Sequence, residues 1–547
     1  MKIYRVYFVI LAVFVLTNPG SAAAKLSSKP NIVYIMADDH ACAALGAYGG
    51  RFASLNPTPT IDQLARNGMV FTNCHVTNAI CKPSRACLLT GQYNHMNKVY
   101  DLNGRLPVER QFLPMAMKAA GYQTALIGKW HLEDEPAAFD YYSVLPGQGK
   151  YRNPQFITRG PKPWPNNTFT RSGEHVTDVI LDLSKEWLIH QRDETKPFML
   201  LVHHKAPHDP FECAPRYNNY LAGITMPEPE SLWQQPYFGS IATRGDHDEL
   251  WSLIGSSIGV RHQNFNYVKT WGFDAKASND EVTRHAYQEY IKRYLRCVKG
   301  VDDSVAALIE VLREQHLLDN TIIIYTSDQG MMLGEHDYKD KRWMYEESQR
   351  MPFIISCPAY IKPNSRSDAL IENVDVVPTL LDFAGATTPT SIQGRSFASM
   401  CSSGVEPADW RAASYYRYWM HMIHQANPGH VGIRTKQYKL IFYYGMGRDD
   451  APRTPPGWEL YDVVKDPQEM INLYDNPAYG KTVVDLKQQL AALRKKVGDD
   501  GSDYPAIEAV ISEFWGYDAA ARDKAIRMSH EYLAKKQPQK KASEGHK

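Results

Sequence analysis

The chain has 547 residues, 44% apolar and 22% charged, a globular composition that excludes a largely disordered protein. Its formal charge is +1, so no chain-wide field draws it to nucleic acid, and no nucleic-acid partner is expected. At this length one large α/β domain followed by a smaller one fits better than a single ordinary domain.

Residues 1–24 read as a secretory signal peptide. Lys2 and Arg5 make the positive start, Val6 to Leu16 the apolar run, and Ala22-Ala23-Ala24 a small-residue cleavage site. The run is shorter than the roughly 20 residues needed to span a bilayer. The mature chain is therefore expected to be secreted or periplasmic, with no transmembrane segment. Eight cysteines without metal-type spacing are expected to be mostly buried small hydrophobes, not a disulfide framework.

The body alternates strand and helix signals. Asn31 to Ala37 is almost wholly apolar, as a strand covered on both faces should be. A helix around Ile61 to Ala65 leads to a strand at Met69 to Phe71, and a helix at Leu113 to Ala120 leads to one at Thr124 to Ile127. Phe198 to Val202 and Thr321 to Tyr325 are further buried-strand runs, separated by a long helical stretch over Glu281 to Gln315. Val377 to Ala384 reads as a helix closed by Gly385. Strands separated by helices imply a mostly parallel sheet covered on both sides. The Gly- and Pro-rich stretches 143–167 and 227–279 read as long surface loops. Beyond about residue 405, Val431 to Ile433, Tyr438 to Tyr443 and Trp458 to Tyr461 suggest antiparallel strands, and Thr482 to Val497 a helix. The expected division is a catalytic domain over 25–404, a smaller α+β domain over 405–517 and a solvated basic extension over 518–547.

Candidate chemistry lies where the buried strands end. Asp38 and Asp39 follow the first; Lys129 and His131 follow Thr124 to Ile127; His203, His204 and His208 follow the Phe198 strand; Asp328 and Gln329 follow the Thr321 strand. Each has an ordinary explanation as a turn or cap residue. Four strand ends offering acid, base and cation together point instead to a ligand site beyond the carboxyl edge of the sheet. Asp38, Asp39, Asp328 and Gln329 supply only oxygen donors, which suits Ca²⁺ or, as second choice, Mg²⁺. Arg85, Lys129, His131, His208 and Lys341 could then surround an anionic ester. Cys81, next to Pro83 at the predicted start of a helix, would by itself read as a reactive thiolate.

The string Cys81-Lys82-Pro83-Ser84-Arg85-Ala86-Cys87-Leu88-Leu89-Thr90-Gly91 resembles the signature of the type I sulfatases. The resemblance runs over nearly the whole mature chain in the family's order: Asp38-Asp39, Gly128-Lys129-Trp130-His131, Ala206-Pro207-His208, Asp328-Gln329-Gly330 with Gln where Asn or His is usual, and Lys341 ahead of Tyr345-Glu346. It implies an alkaline-phosphatase-like α/β domain whose large sheet is sandwiched by helices, with a smaller C-terminal α+β domain on an antiparallel sheet. It also implies that a maturation enzyme oxidises Cys81 to formylglycine, which joins the metal ligands as an aldehyde hydrate. One hydroxyl, activated by the metal and Asp328, would attack sulfur. His208 and Lys341 would protonate or stabilise the leaving oxygen, and His131 would deprotonate the second hydroxyl to expel sulfate. Arg85 and Lys129 would hold the diol and the sulfate oxygens.

Loops such as Asp340-Lys341-Arg342-Trp343 look similar to bacterial enzymes of the N-acetylglucosamine-6-sulfatase and mucin-desulfating type, implying a sulfated saccharide substrate. Trp343, Arg417 and His430 are expected to line its pocket. Two alternatives stand beside this one: a formylglycine-dependent phosphonate monoester hydrolase or phosphodiesterase, and a glycan-binding relative without catalysis.

Overall fold

The computed structural model describes residues 29–233, 235–273, 277–448 and 453–544; the signal-like segment 1–24 lies outside them. A ten-stranded mixed sheet runs in the order Ser365–Ser367, Met69–Phe71, Phe353–Ser356, Thr321–Ser327, Asn31–Ala37, Phe198–His203, Gln123–Lys129, Tyr141–Leu145, Gln155–Thr158, Thr168–Thr170. Its centre, from Thr321–Ser327 to Tyr141–Leu145, is entirely parallel. Every residue of Asn31–Ala37 and Thr321–Ser327 is buried, which is why these segments carry Ile, Val and Tyr without polar alternation.

Pleating sends alternate side chains into two cores. Ile32, Tyr34 and Met36 pack with the helices Cys81–Thr90, Phe112–Ala119 and Val376–Phe383. Val33, Ile35 and Ala37 pack with Pro59–Arg66, Val176–Glu186 and the 36-residue helix Asn279–Glu314. A capping box between Ser278 and Glu281 starts that long helix.

A four-stranded antiparallel sheet, Ala413–Tyr418, His430–Thr435, Tyr438–Tyr443 and Gly457–Asp462, forms the C-terminal unit with helices Gly480–Val497 and Pro505–Phe514. Arg434 and Lys439 of this sheet reach Glu346 of the larger unit at 2.8 and 3.0 Å, and Glu459 accepts from Tyr345 at 2.8 Å.

Three expectations change. The stretch 143–167 is not all loop, because it contains the end of Tyr141–Leu145 and the strand Gln155–Thr158, which pairs on both sides near the edge of the sheet. The stretch 227–279 includes the short helices Ile241–Arg244 and Tyr267–Trp271. The basic tail is not a free extension either. Ala519–Glu544 is helical, Tyr532 is buried, and Ser529 donates to Glu249 at 2.7 Å. All eight cysteines are free and buried, and among the described residues no helix is long and apolar enough to cross a membrane.

Candidate active site

The carboxyl ends of four adjacent strands converge. The first strand stops at Ala37, and Asp39 turns the chain with φ 68° while its amide donates to Asp328 Oδ1 at 3.1 Å. The Asp38 amide donates to Ala206 O at 3.2 Å, tying in the loop that carries His208. Lys129 is the last residue of its strand. Gly128 before it has φ 107°, and a Cβ there would stand 2.0 Å from His203 O, so only glycine lets the two strand ends close up.

Cys81 opens the wholly buried helix Cys81–Thr90, which Gly91 ends in the left-handed conformation. Two side chains pin this helix to the sheet. Ser84 donates to the Asp328 carbonyl and accepts from Asn373 Nδ2 at 3.0 Å. Arg85 donates to Asp328 Oδ2 at 2.9 Å and to Lys129 O at 2.7 Å, and lies 3.6 Å from Asp38 Oδ1. The serine and arginine of the motif thus fix the helix against the acidic strand end. Cys81 Sγ is 3.9 Å from Asp39 Oδ1 and 3.6 Å from Gln329 Nε2.

Oxygens of Asp38, Asp39 and Asp328 lie within 4.8 Å of one another, all buried. Each carboxylate also has a cation: Lys129 on Asp38, Lys341 on Asp39 at 2.6 Å, Arg85 on Asp328. Asp38 Oδ1 and Gln329 Oε1 are buried without a hydrogen-bond partner. Orphaned oxygens beside three carboxylates fit a hard divalent cation, and the amide oxygen of Gln329 serves as well as that of Asn for this purpose. Burial works against ionising Asp38, but Lys129, His208 and Arg85 outweigh it and hold its carboxyl well below the usual range. Burial, and then the Asp38 charge, push Asp328 up to about 8.

That difference has a measurable consequence. An unfolded Asp titrates near 3.9, so between about pH 4 and pH 8 the unfolded chain gives up a proton that folded Asp328 keeps. The contribution of Asp328 to the stability of the cation-free protein, read as the difference between wild type and Asp328→Asn, is expected to fall as pH rises through this window. The substitution should also abolish the stabilisation by Ca²⁺, which at a hundredfold excess over Kd is about 2.7 kcal/mol for the wild type. Thermal unfolding with chelator or Ca²⁺ from pH 4 to 8 checks both; an Asp328→Asn protein still stabilised by Ca²⁺ would place the cation elsewhere.

The bases stand around this centre. His208 Nδ1 meets Asp209 Oδ1 at 2.6 Å, leaving Nε2 3.7 Å from Asp39 Oδ2, and a ring nitrogen lies within 4.8 Å of Cys81 Sγ. Burial opposes ionisation of Asp209, but His208 and then Lys341 hold it well below its ordinary range. His131, at φ 59°, has an unpartnered Nδ1. Burial, then the Lys129 and Arg85 charges, hold its imidazole neutral.

Three further charged residues near the centre, Lys82, Lys205 and Arg342, were given no role by the sequence. Lys82 pairs with Glu133 at 2.7 Å. Lys205, 3% exposed with its ammonium 4.9 Å from the Tyr151 ring centre, is lowered to about 8 by burial and then Lys129. Arg342 pairs with Asp340 at 2.7 Å while its Nη1 is buried and unpartnered. Arg342 and Asp340 both sit at positive φ, so the loop holds this donor–acceptor pair in place on either side of Lys341.

The three expected sugar-lining residues are elsewhere. Trp343 is fully buried, stacked on Tyr338 at 4.6 Å. His430 is fully buried with Nδ1 2.8 Å from Pro428 O, and burial lowers it to about 3. Arg417 is fully buried against Asp499 at 2.6 Å and Glu508 at 3.3 Å, joining the antiparallel sheet to its helices. All three belong to the interior of the C-terminal unit and its junction, because ring stacks and paired charges there are what that sheet needs to pack.

A model described as Sulfatase matches residues 30–386, and one described as N-sulphoglucosamine sulphohydrolase, C-terminal, matches residues 334–496. An N-acetylglucosamine-6-O-sulfatase of Bacteroides thetaiotaomicron is 35% identical over 527 residues, spanning 90% of this chain and 91% of its own. A solved structure in complex with its substrate D-glucosamine-2-N,6-O-disulfate is 35% identical with a TM-score of 0.76, covering 87% of this chain and 100% of that one. The phosphonate monoester hydrolase of Agrobacterium radiobacter, 21% identical with a TM-score of 0.65 over 86% of this chain and 96% of its own, shares the fold. With a family match covering well over half its length and a relative 35% identical over 90% of it, the chain belongs to the sulfatase family and is a sulfuric ester hydrolase.

Proposed function

We propose that this sulfatase removes sulfate esters from sulfated amino sugars, using Cys81 in its formylglycine form and a divalent cation, Ca²⁺ before Mg²⁺, after export through residues 1–24 to the periplasm or medium. The observation that carries this is the position of Cys81 Sγ, 3.9 Å from Asp39 Oδ1, 3.6 Å from Gln329 Nε2 and within 4.8 Å of a His208 ring nitrogen. The relative at 35% identity named for N-acetylglucosamine 6-O-sulfate supports the choice of sugar.

Asp38, Asp39, Asp328 and Gln329 are the residues that would hold the cation, which would supply positive charge against the sulfate oxygens and the attacking oxygen. A maturation enzyme must first oxidise Cys81; as an aldehyde hydrate, residue 81 supplies one hydroxyl to attack and a second whose deprotonation releases sulfate. The rest falls to side chains in place. Arg85 and Lys129 orient residue 81 and the sulfate oxygens through charge. His208, held by Asp209, and Lys341, beside Asp39, would supply the proton that a leaving alcohol needs. His131, whose Nδ1 has no hydrogen-bond partner, would take the proton from the second hydroxyl.

Mature enzyme incubated with N-acetylglucosamine 6-sulfate, its 3-O- and 4-O-sulfated isomers, and an aryl phosphonate monoester tests this. Sulfate is expected from the 6-O-ester ahead of the isomers. Hydrolysis of the phosphonate with no release from any sugar sulfate would overturn it.

A further inference from the structure

The larger unit supplies every catalytic candidate named so far, yet Lys341 and Cys81 sit on different segments, and a third segment joins them. Tyr416, on the C-terminal strand Ala413–Tyr418, is fully buried. Its hydroxyl accepts from the Ala79 amide at 3.2 Å and donates to the Arg342 carbonyl at 2.6 Å. Ala79 stands two residues before Cys81, and Arg342 directly follows Lys341. One oxygen atom therefore ties the entrance of the Cys81 helix to the Lys341 turn. The neighbouring Arg417 amide donates to Thr77 O at 3.0 Å, so the strand runs along the same entry segment.

The turn needs such a tie. Asp340 and Arg342 have φ of 72° and 89°, a conformation that non-glycine residues keep only where the surroundings hold them. Its two ends are fastened separately. Upstream, Asp337 is held by Arg261 at 2.9 Å and by the Gly259 amide at 3.1 Å. Downstream, Tyr345 and Glu346 are bolted to Glu459, Arg434 and Lys439. Between these anchors the Tyr416 hydroxyl meets the backbone beside Lys341. Packing alone would not require it: the ring stacks on His430 at 5.3 Å, which phenylalanine would do equally well.

We propose that Tyr416 is a positioning residue through which the C-terminal sheet sets Lys341 relative to residue 81. It touches neither substrate nor cation. Its role in turnover rests on the sulfatase reading above, with Lys341 serving the leaving group; the tether itself does not.

Tyr416→Phe in the full-length enzyme isolates the hydroxyl. Hydrogen exchange is expected to rise about tenfold or more at the Ala79 amide and in peptides over 338–345, while 430–443 stays protected. Turnover of a sugar sulfate should fall about 10²-fold, and that of an activated aryl sulfate no more than about threefold, because only the alkoxide depends on a correctly placed proton donor. In a Lys341→Ala background the same substitution should cost nothing further. Unchanged exchange at both ends overturns the tether whatever the enzyme hydrolyses. Losses that multiply in the double variant overturn its action through Lys341. If exchange rises as expected but Lys341→Ala treats both esters alike, the tether stands and the role given to Lys341 in the reaction fails.

Discussion

Cys81→Ala is expected to reduce kcat by about 10⁶-fold, the scale of loss when a covalent nucleophile is removed. The unmodified thiol should do little better. Its helix N-terminus favours a thiolate, but burial and then the Asp38 charge push the Cys81 thiol well above its usual value. Two of the three nearby carboxylates, Asp38 and Asp39, oppose a sulfur anion, so the generic expectation of a reactive thiolate is overturned by its surroundings. A neutral hydrate has no such conflict, since its hydroxyls can face carboxylates as donors. Cys81→Ser makes the distinction sharp. A serine hydroxyl can take one sulfate but offers no second hydroxyl to expel it, so one turnover followed by a stalled, sulfated residue 81 is expected. Peptide mass spectrometry over residues 68–91 reads both states: an aldehyde in active wild type, a retained SO₃ group in Cys81→Ser. A fully active preparation carrying only the thiol would sink the assignment.

The second large effect concerns the departing oxygen. An alkoxide leaving a sugar carbon needs a proton far more than an aryl oxide does, so loss of a general acid penalises the two esters unequally. His208→Ala is expected to slow sugar sulfates by about 10²–10⁴-fold and aryl sulfates much less. Asp209 strengthens this expectation, because its ionised carboxylate on Nδ1 leaves Nε2 as the ring atom facing Asp39 and the site. His131→Ala should instead slow both esters alike, through the step in which the alcohol has already gone, with a burst of product before stalling. Equal losses for both substrates in His208→Ala would move the acid role to Lys341.

Much of this arrangement was legible in the sequence, for a physical reason. Thr321–Ser327 and Asn31–Ala37 are buried on both faces, so their composition alone marks them as central parallel strands. The polar residues just beyond such strands then fall at one edge of the sheet, and Asp38, Asp39, Lys129, Asp328 and Gln329 do meet there. Strands away from the central parallel set were hidden. Gln155–Thr158 is only half buried and lies among Gly and Pro, and Ala413–Tyr418 reads as polar although five of its six residues are interior. Aromatics and histidines near 416–430 have the composition of a sugar-binding wall, and that same composition packs the junction between the two sheets. Partners separated by hundreds of residues, such as Ser84 with Asn373 or Tyr416 with Ala79, leave no periodic trace along the chain.

The pairing of each carboxylate with its own cation has a consequence for throughput. Asp38, Asp39 and Asp328 are matched by Lys129, Lys341 and Arg85, so once a bound cation has displaced the proton from Asp328 these six side chains sum to no net charge. A divalent ion held there would make the centre doubly positive. The ester entering carries one negative charge; the inorganic sulfate left behind carries two, and attraction grows with the product of the charges in a buried site that salt screens poorly. A site so charged would hold what it has made more firmly than what it takes in. Release of the product anion is then expected to weigh on turnover, and added sulfate or phosphate to inhibit by competing for the same site.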